Sequence, residues 1–177
     1  MSEYFLYGDY ISCEYTKHHE KYIDKDVGKI MIELSRLLDS TMKTRQRPFV
    51  EAELALWHAL ASCVMYMRET DNATMAEQMN KIADQLKINY KYRFIKNRKY
   101  SDVPNEKILK DIINLQQEVL NMIDNVLSHE KYSDSECVLW RVLFLLYDSL
   151  IVGYNMQDLK AQMHKYKDIY DMRKATL

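Results

Sequence analysis

The 177 residues carry 25 Lys and Arg against 26 Asp and Glu, a formal charge of −1, so no molecule-wide field draws the chain to nucleic acid or to an anionic membrane. The length suffices for one domain with a core of its own, and with only 3 Gly and 2 Pro a hairpin-rich β architecture is excluded. Three cysteines, Cys13, Cys63 and Cys137, are an odd number at no framework spacing, which points to free thiols in a reducing compartment.

No basic leader followed by an apolar run opens the sequence. The two most apolar stretches fall short of the about 20 residues that a bilayer crossing requires. A soluble cytoplasmic protein without membrane contact is therefore expected.

Residues 1–25 are rich in tyrosine but show no period. They read as an arm or short helix covering the rest, with Tyr4, Phe5, Tyr7 and Tyr10 as a candidate surface for a partner. A first helix is predicted from Asp24 or Asp26 to about Met42, because Val27, Met31, Leu34 and Leu38 recur on one face. Pro48 suits the first turn of a second helix, predicted over 49–69, in which only His58 and Ser62 interrupt the apolar run from Leu54 to Met67. Thr74 and Glu77 suggest a capping box for a third helix carrying Met75, Met79, Ile82 and Leu86.

Residues 87–103 form a connector of different character. Lys87, Lys91, Arg93, Lys96, Arg98 and Lys99 alternate with Tyr90, Tyr92, Phe94 and Tyr100, and no acid intervenes. Cations track a phosphate backbone while aromatic faces stack on unpaired bases, so the mixture suits single-stranded nucleic acid. The same run also complements a helix C-terminus and solubilises a linker.

A fourth helix is predicted from Pro104 to Leu127 on the stripe Ile108, Ile112, Leu115, Val119, Met122 and Val126. Ser133 and Glu136 make a capping box for a fifth, over 134–152, which is apolar on every side except at Arg141 and Asp148. Those two lie seven residues apart on one face and are expected as a buried structural pair. Asn155 is expected to cap a sixth helix with Met156, Leu159, Met163, Tyr166 and Tyr170 inward.

The halves 26–90 and 104–173 resemble one another. Glu53, Leu56, Trp57 and Leu60 reproduce the spacing of Glu136, Leu139, Trp140 and Leu143, and His58 and Arg141 fall at matching positions. Two similar three-helix units would bring their apolar helices together at the centre of the fold.

No pattern of a held nucleophile and base emerges. Cys13, His18 and His19 supply three ligands where a closed zinc site needs four. Asp168 and Asp171 are the one pair of acids three residues apart, a spacing that could clamp a divalent cation. No catalytic, cofactor or metal residue is therefore assigned.

The sequence predicts an all-α, single compact bundle of about six helices, with 1–25 as arm and 26–177 as bundle. The leading function is non-enzymatic, an interaction or regulatory protein that docks a macromolecule. A protein partner is expected first, and a homodimer is open. Binding of single-stranded RNA or DNA through 87–100 is the alternative, and a divalent-metal nucleotide pyrophosphohydrolase comes third.

Overall fold

A computed structural model describes residues 6–14, 20–44, 50–69, 77, 81, 84, 106–129, 132–133 and 135–176. Among them the fold is all-α, with no strand. A 3-10 turn at Tyr7–Tyr10 precedes α1 (Lys21–Thr44), α2 (Val50–Met67), α3 (Glu106–Val126) and α4 (Glu136–Asp148). The helix of α4 continues as a π-helical segment, Ser149–Gly153, before a second 3-10 turn at Gln157–Leu159 and α5 (Lys160–Lys174). Five α-helices are thus described where about six were expected. Of the expected third helix, Glu77, Lys81 and Asp84 are described; they are helical and exposed.

Helices α1, α2, α4 and α3 close a ring, each packed on the next. The driving force is the apolar stripe that each helix turns inward. Along α1 this stripe is Ile23, Val27, Ile30, Met31, Leu34, Leu37 and Leu38, all buried. In α3 the stripe drifts from the expected line: Met122 is only partly buried, while Gln116, Leu120 and Ile123 turn inward. A helix of 3.6 residues per turn rotates about 20° per heptad, which carries a strict seven-residue pattern off its seam.

Helix α4 has neighbours on all sides. Inside the ring it meets α2, α3 and α1, and its outer face is covered by the N-terminal 3-10 turn and by α5. Every residue of α4 except Arg141 is buried. Burial of each Leu, Val or Phe contributes about 1.5–3 kcal/mol, so this one helix dominates the core. Helix α2 is less enclosed, since Met65 is exposed and His58 half-exposed at its outer edge.

The boundaries of α4 follow local chemistry. The expected capping box forms: Ser133 N donates to Glu136 Oε1 at 3.1 Å, and Glu136 N to Ser133 Oγ at 3.4 Å. At the far end Gly153 meets α2 so closely that a Cβ there would lie 2.2 Å from Ala52 Cβ. Asn155 does not cap the last helix as expected. It adopts a left-handed φ of 55° and ends the preceding one, with Met156 N donating to Leu150 O at 3.1 Å.

Candidate functional site

Residues 6–14 are a strap laid across α4. Leu6, Gly8 and Ile11 are buried beneath it, and a Cβ on Gly8 would fall 2.4 Å from Leu145 Cγ and 2.8 Å from Leu145 N. Only glycine lets the strap backbone approach the helix so closely. The Tyr7 ring meets Phe144 edge-on at 5.1 Å between centroids, with Lys167 Nζ 5.8 Å above it. Of the expected partner arm, Tyr7 is therefore packed inward and Tyr10 is 68% exposed; Tyr4 and Phe5 lie outside the described residues.

Arg141 and Asp148 both grip this strap instead of pairing with each other, which corrects the expected buried pair. Seven residues on a helix set them about 10 Å apart along its axis, and the strap fills that interval. Arg141 Nη1 donates to the carbonyls of Gly8, Asp9 and Ile11 at 3.3, 3.3 and 3.1 Å, Nη2 to Asp9 Oδ1 at 3.0 Å, and Nε to Ser62 Oγ at 2.7 Å. Asp148 Oδ2 accepts from Gly8 N at 2.8 Å. Burial pushes the Asp148 carboxyl up to about 7, against the lowering effect of the Gly8 and Tyr7 amides.

His58 and Arg141, at matching positions of the two tryptophan helices, converge on one carboxylate. His58 Nδ1 lies 2.9 Å from both Asp9 oxygens. Because an ionised carboxylate only accepts, Nδ1 carries the proton. Asp9, Cys13, His58, Ser62, Met65 and Arg141 border a cleft of about 450 Å³ between strap and α2.

Chemically, this cleft has an oriented imidazole but, among the described residues, no nucleophile held by it. The Ser62 hydroxyl is engaged between Arg141 and the His58 carbonyl, to which it donates at 2.8 Å. Among the described residues no three His, Cys, Asp or Glu side chains converge as metal ligands do. His18 and His19, expected beside Cys13, lie outside the described residues, and Asp168 and Asp171 are exposed on α5.

Two further clusters sit at the start of α4. Glu136 accepts from Trp140 Nε1 at 3.0 Å and from Arg173 Nη2 at 2.8 Å, while Arg173 also donates to the carbonyls of His129 and Val126 at the end of α3. Arg173 is 8% exposed and carries no pattern in the sequence, where it reads as one more cation near a helix C-terminus. Beside it, the strap lies against the first turn of α4: the Cys137 thiol donates to Ser12 O at 3.3 Å, and the Cys13 thiol turns back to Ile11 O at 3.9 Å.

The basic and aromatic residues Lys87, Tyr90, Lys91, Tyr92, Arg93, Lys96, Arg98 and Lys99 lie outside the described residues. Among the described residues no helix is long and apolar enough to cross a membrane. No protein-family model, curated protein or solved structure matches the chain.

Proposed function

We propose that the chain is a non-enzymatic docking protein whose recognition surface is the cleft between the strap and α2. The carrying observation is the division of labour at its rim. Arg141 directs its donors into strap backbone, Asp9 and Ser62, so the charged groups hold the wall in shape. Met65, 48% exposed, borders the cleft, and the exposed Tyr10 neighbours Asp9 in the strap. A pre-shaped polar wall with an adaptable Met and an aromatic is suited to an apolar anchor of a protein partner, since little ordering remains to oppose binding.

The test is paired affinity capture with the full chain and with a Tyr10→Ala, Met65→Ala variant of unchanged helicity by circular dichroism. A protein retained at least tenfold better by the unaltered chain supports the reading. Equal recovery on both removes it.

The composition of 87–100 favours a second reading, single-stranded nucleic acid, which makes the opposite forecast. Binding would survive the Tyr10 and Met65 changes, weaken steeply with salt and vanish when Lys91, Arg93, Lys96 and Arg98 become alanine.

A further inference from the structure

Asp148 lies under the strap, 4% exposed, where Oδ2 accepts from Gly8 N at 2.8 Å. The charged groups around it are engaged elsewhere. On its own helix Arg141 directs its donors to strap carbonyls, Asp9 and Ser62. From α2, His58 is turned to Asp9. From α5, Lys167 stands 5.8 Å over the Tyr7 ring, and Asp171 acts on the same tyrosine. The strap itself adds Asp9, a second negative charge. Among the described residues, Asp148 thus meets backbone amides and a like charge, and no cation pairs with it. A protonated carboxyl suits that setting. An ionised one is a buried anion without a partner, and only water could relieve it.

Water has no way in while the strap is seated. A Cβ on Gly8 would fall 2.8 Å from Leu145 N, so strap backbone rests directly on the helix and leaves no gap for a solvent molecule beside it. Hydrating the carboxyl therefore requires Gly8 to leave its seat. We propose that the strap is a proton-controlled latch, seated on α4 while the Asp148 carboxyl beneath it is protonated and lifted when that carboxyl ionises. The direction follows from burial. The seated strap holds the carboxyl up at about 7 against the ordinary 3.8, so seating is fully supported below pH 3.8. From there to pH 7 its equilibrium constant falls about tenfold per pH unit, because the lifted state sheds the proton first.

Lifting takes Asp9, Ser12 and Cys13 out of the cleft wall, and with Ser12 the acceptor of the Cys137 thiol. The cleft is thus firmed as the proton binds and loosened as it leaves. The inference stands apart from whatever the cleft docks, and its test needs no partner.

Hydrogen–deuterium exchange of the full chain is followed by mass spectrometry from pH 4.5 to pH 6.5, each rate divided by that of an unstructured peptide at the same pH. Protection of the amides of 6–14 should fall about a hundredfold across those two units, while the amides of 140–147 in α4 stay protected. In Asp148→Asn the side-chain oxygen still accepts from Gly8 N and never ionises, so strap protection stays level. The thiols give a second readout that needs no variant. Labelling of Cys137 by dithiodipyridine, relative to free cysteine, rises in step with the exchange at 6–14, and Cys63, fully buried in α2, stays unlabelled. Strap protection that is level with pH in the unaltered chain, or that falls equally in Asp148→Asn, overturns the proposal. So does loss of protection in α4, or labelling of Cys63 in step with Cys137, because the whole chain is then unfolding.

Discussion

Helices α2 and α4 carry the same spacing of acid and tryptophan, Glu53 to Trp57 and Glu136 to Trp140, yet the fold surrounds them differently. In α4 the acid is clamped by a buried arginine from the last helix, and the other charged residues along it, Arg141 and Asp148, hold the strap. In α2 the described bond to Glu53 comes from a neutral hydroxyl, Thr41 Oγ1 at 3.0 Å, and His58 faces the cleft. The difference lies in what covers each helix. Both ends of the described chain fold back over α4, and its charged residues are the hooks that hold them there. Among the described residues, His58, Ser62 and Met65 of α2 border the cleft.

The comparison breaks most visibly at Arg173. Removing it strands the Glu136 carboxylate, 1% exposed, and frees the carbonyls at the end of α3. Arg173→Ala should cost about 3–5 kcal/mol of unfolding free energy, the usual penalty for breaking one side of a buried pair. Urea denaturation followed by far-UV circular dichroism reads it. If Arg173→Met with Glu136→Gln recovers at least half of that loss, the penalty belongs to the uncompensated charge. If it recovers none, the hydrogen bonds to Val126 and His129 carry the effect.

Asp148, at the other end of α4, sharpens the contrast through pH. Its folded pKa of about 7 exceeds the ordinary 3.8, so folding favours the protonated carboxyl. That contribution is complete below pH 3.8 and is lost as pH rises through 7, above which the strap rests on a buried anion. Across this window, at about 1.4 kcal/mol per pH unit, stability should fall by about 4 kcal/mol relative to an Asp148→Asn variant. The slope of the difference is the readout, because the asparagine amide imposes its own constant cost. A difference that stays flat between pH 4 and pH 7.5 would show that water reaches the carboxyl.

The sequence makes the helices legible because burial leaves periodic marks. The α1 stripe and the capping box of Ser133 with Glu136 are local and stand where the pattern put them. The strap left no period to read, since a 3-10 turn and extended backbone impose neither 3.6 nor 2. Arg141 was visible as a charge in an apolar helix, but its acceptors are mostly backbone carbonyls, which any residue supplies. Asp9 was invisible for a similar reason: its meaning arises only when two distant helices bring His58 and Arg141 to it. Asn155 was legible as a boundary and misread in direction, because asparagine suits both a helix start and a left-handed helix end.

The smallest effect is expected at Thr41. Its single hydroxyl proton is divided between Leu38 O at 2.7 Å and Glu53 Oε1 at 3.0 Å, so Thr41→Val removes one hydrogen bond shared between two acceptors. The valine keeps the volume, no cavity opens, and the expected cost is about 1 kcal/mol, the net value of one buried hydroxyl hydrogen bond shared between a carbonyl and a carboxyl. That is several-fold below Arg173→Ala, although Glu53 and Glu136 occupy the same register and are equally enclosed. Measured in the same urea series, a ratio near one would mean that the two acids are held equally and that the likeness of the helices extends to their energetics. A wide ratio would assign the difference to Arg173, the buried cation that the last helix brings to Glu136.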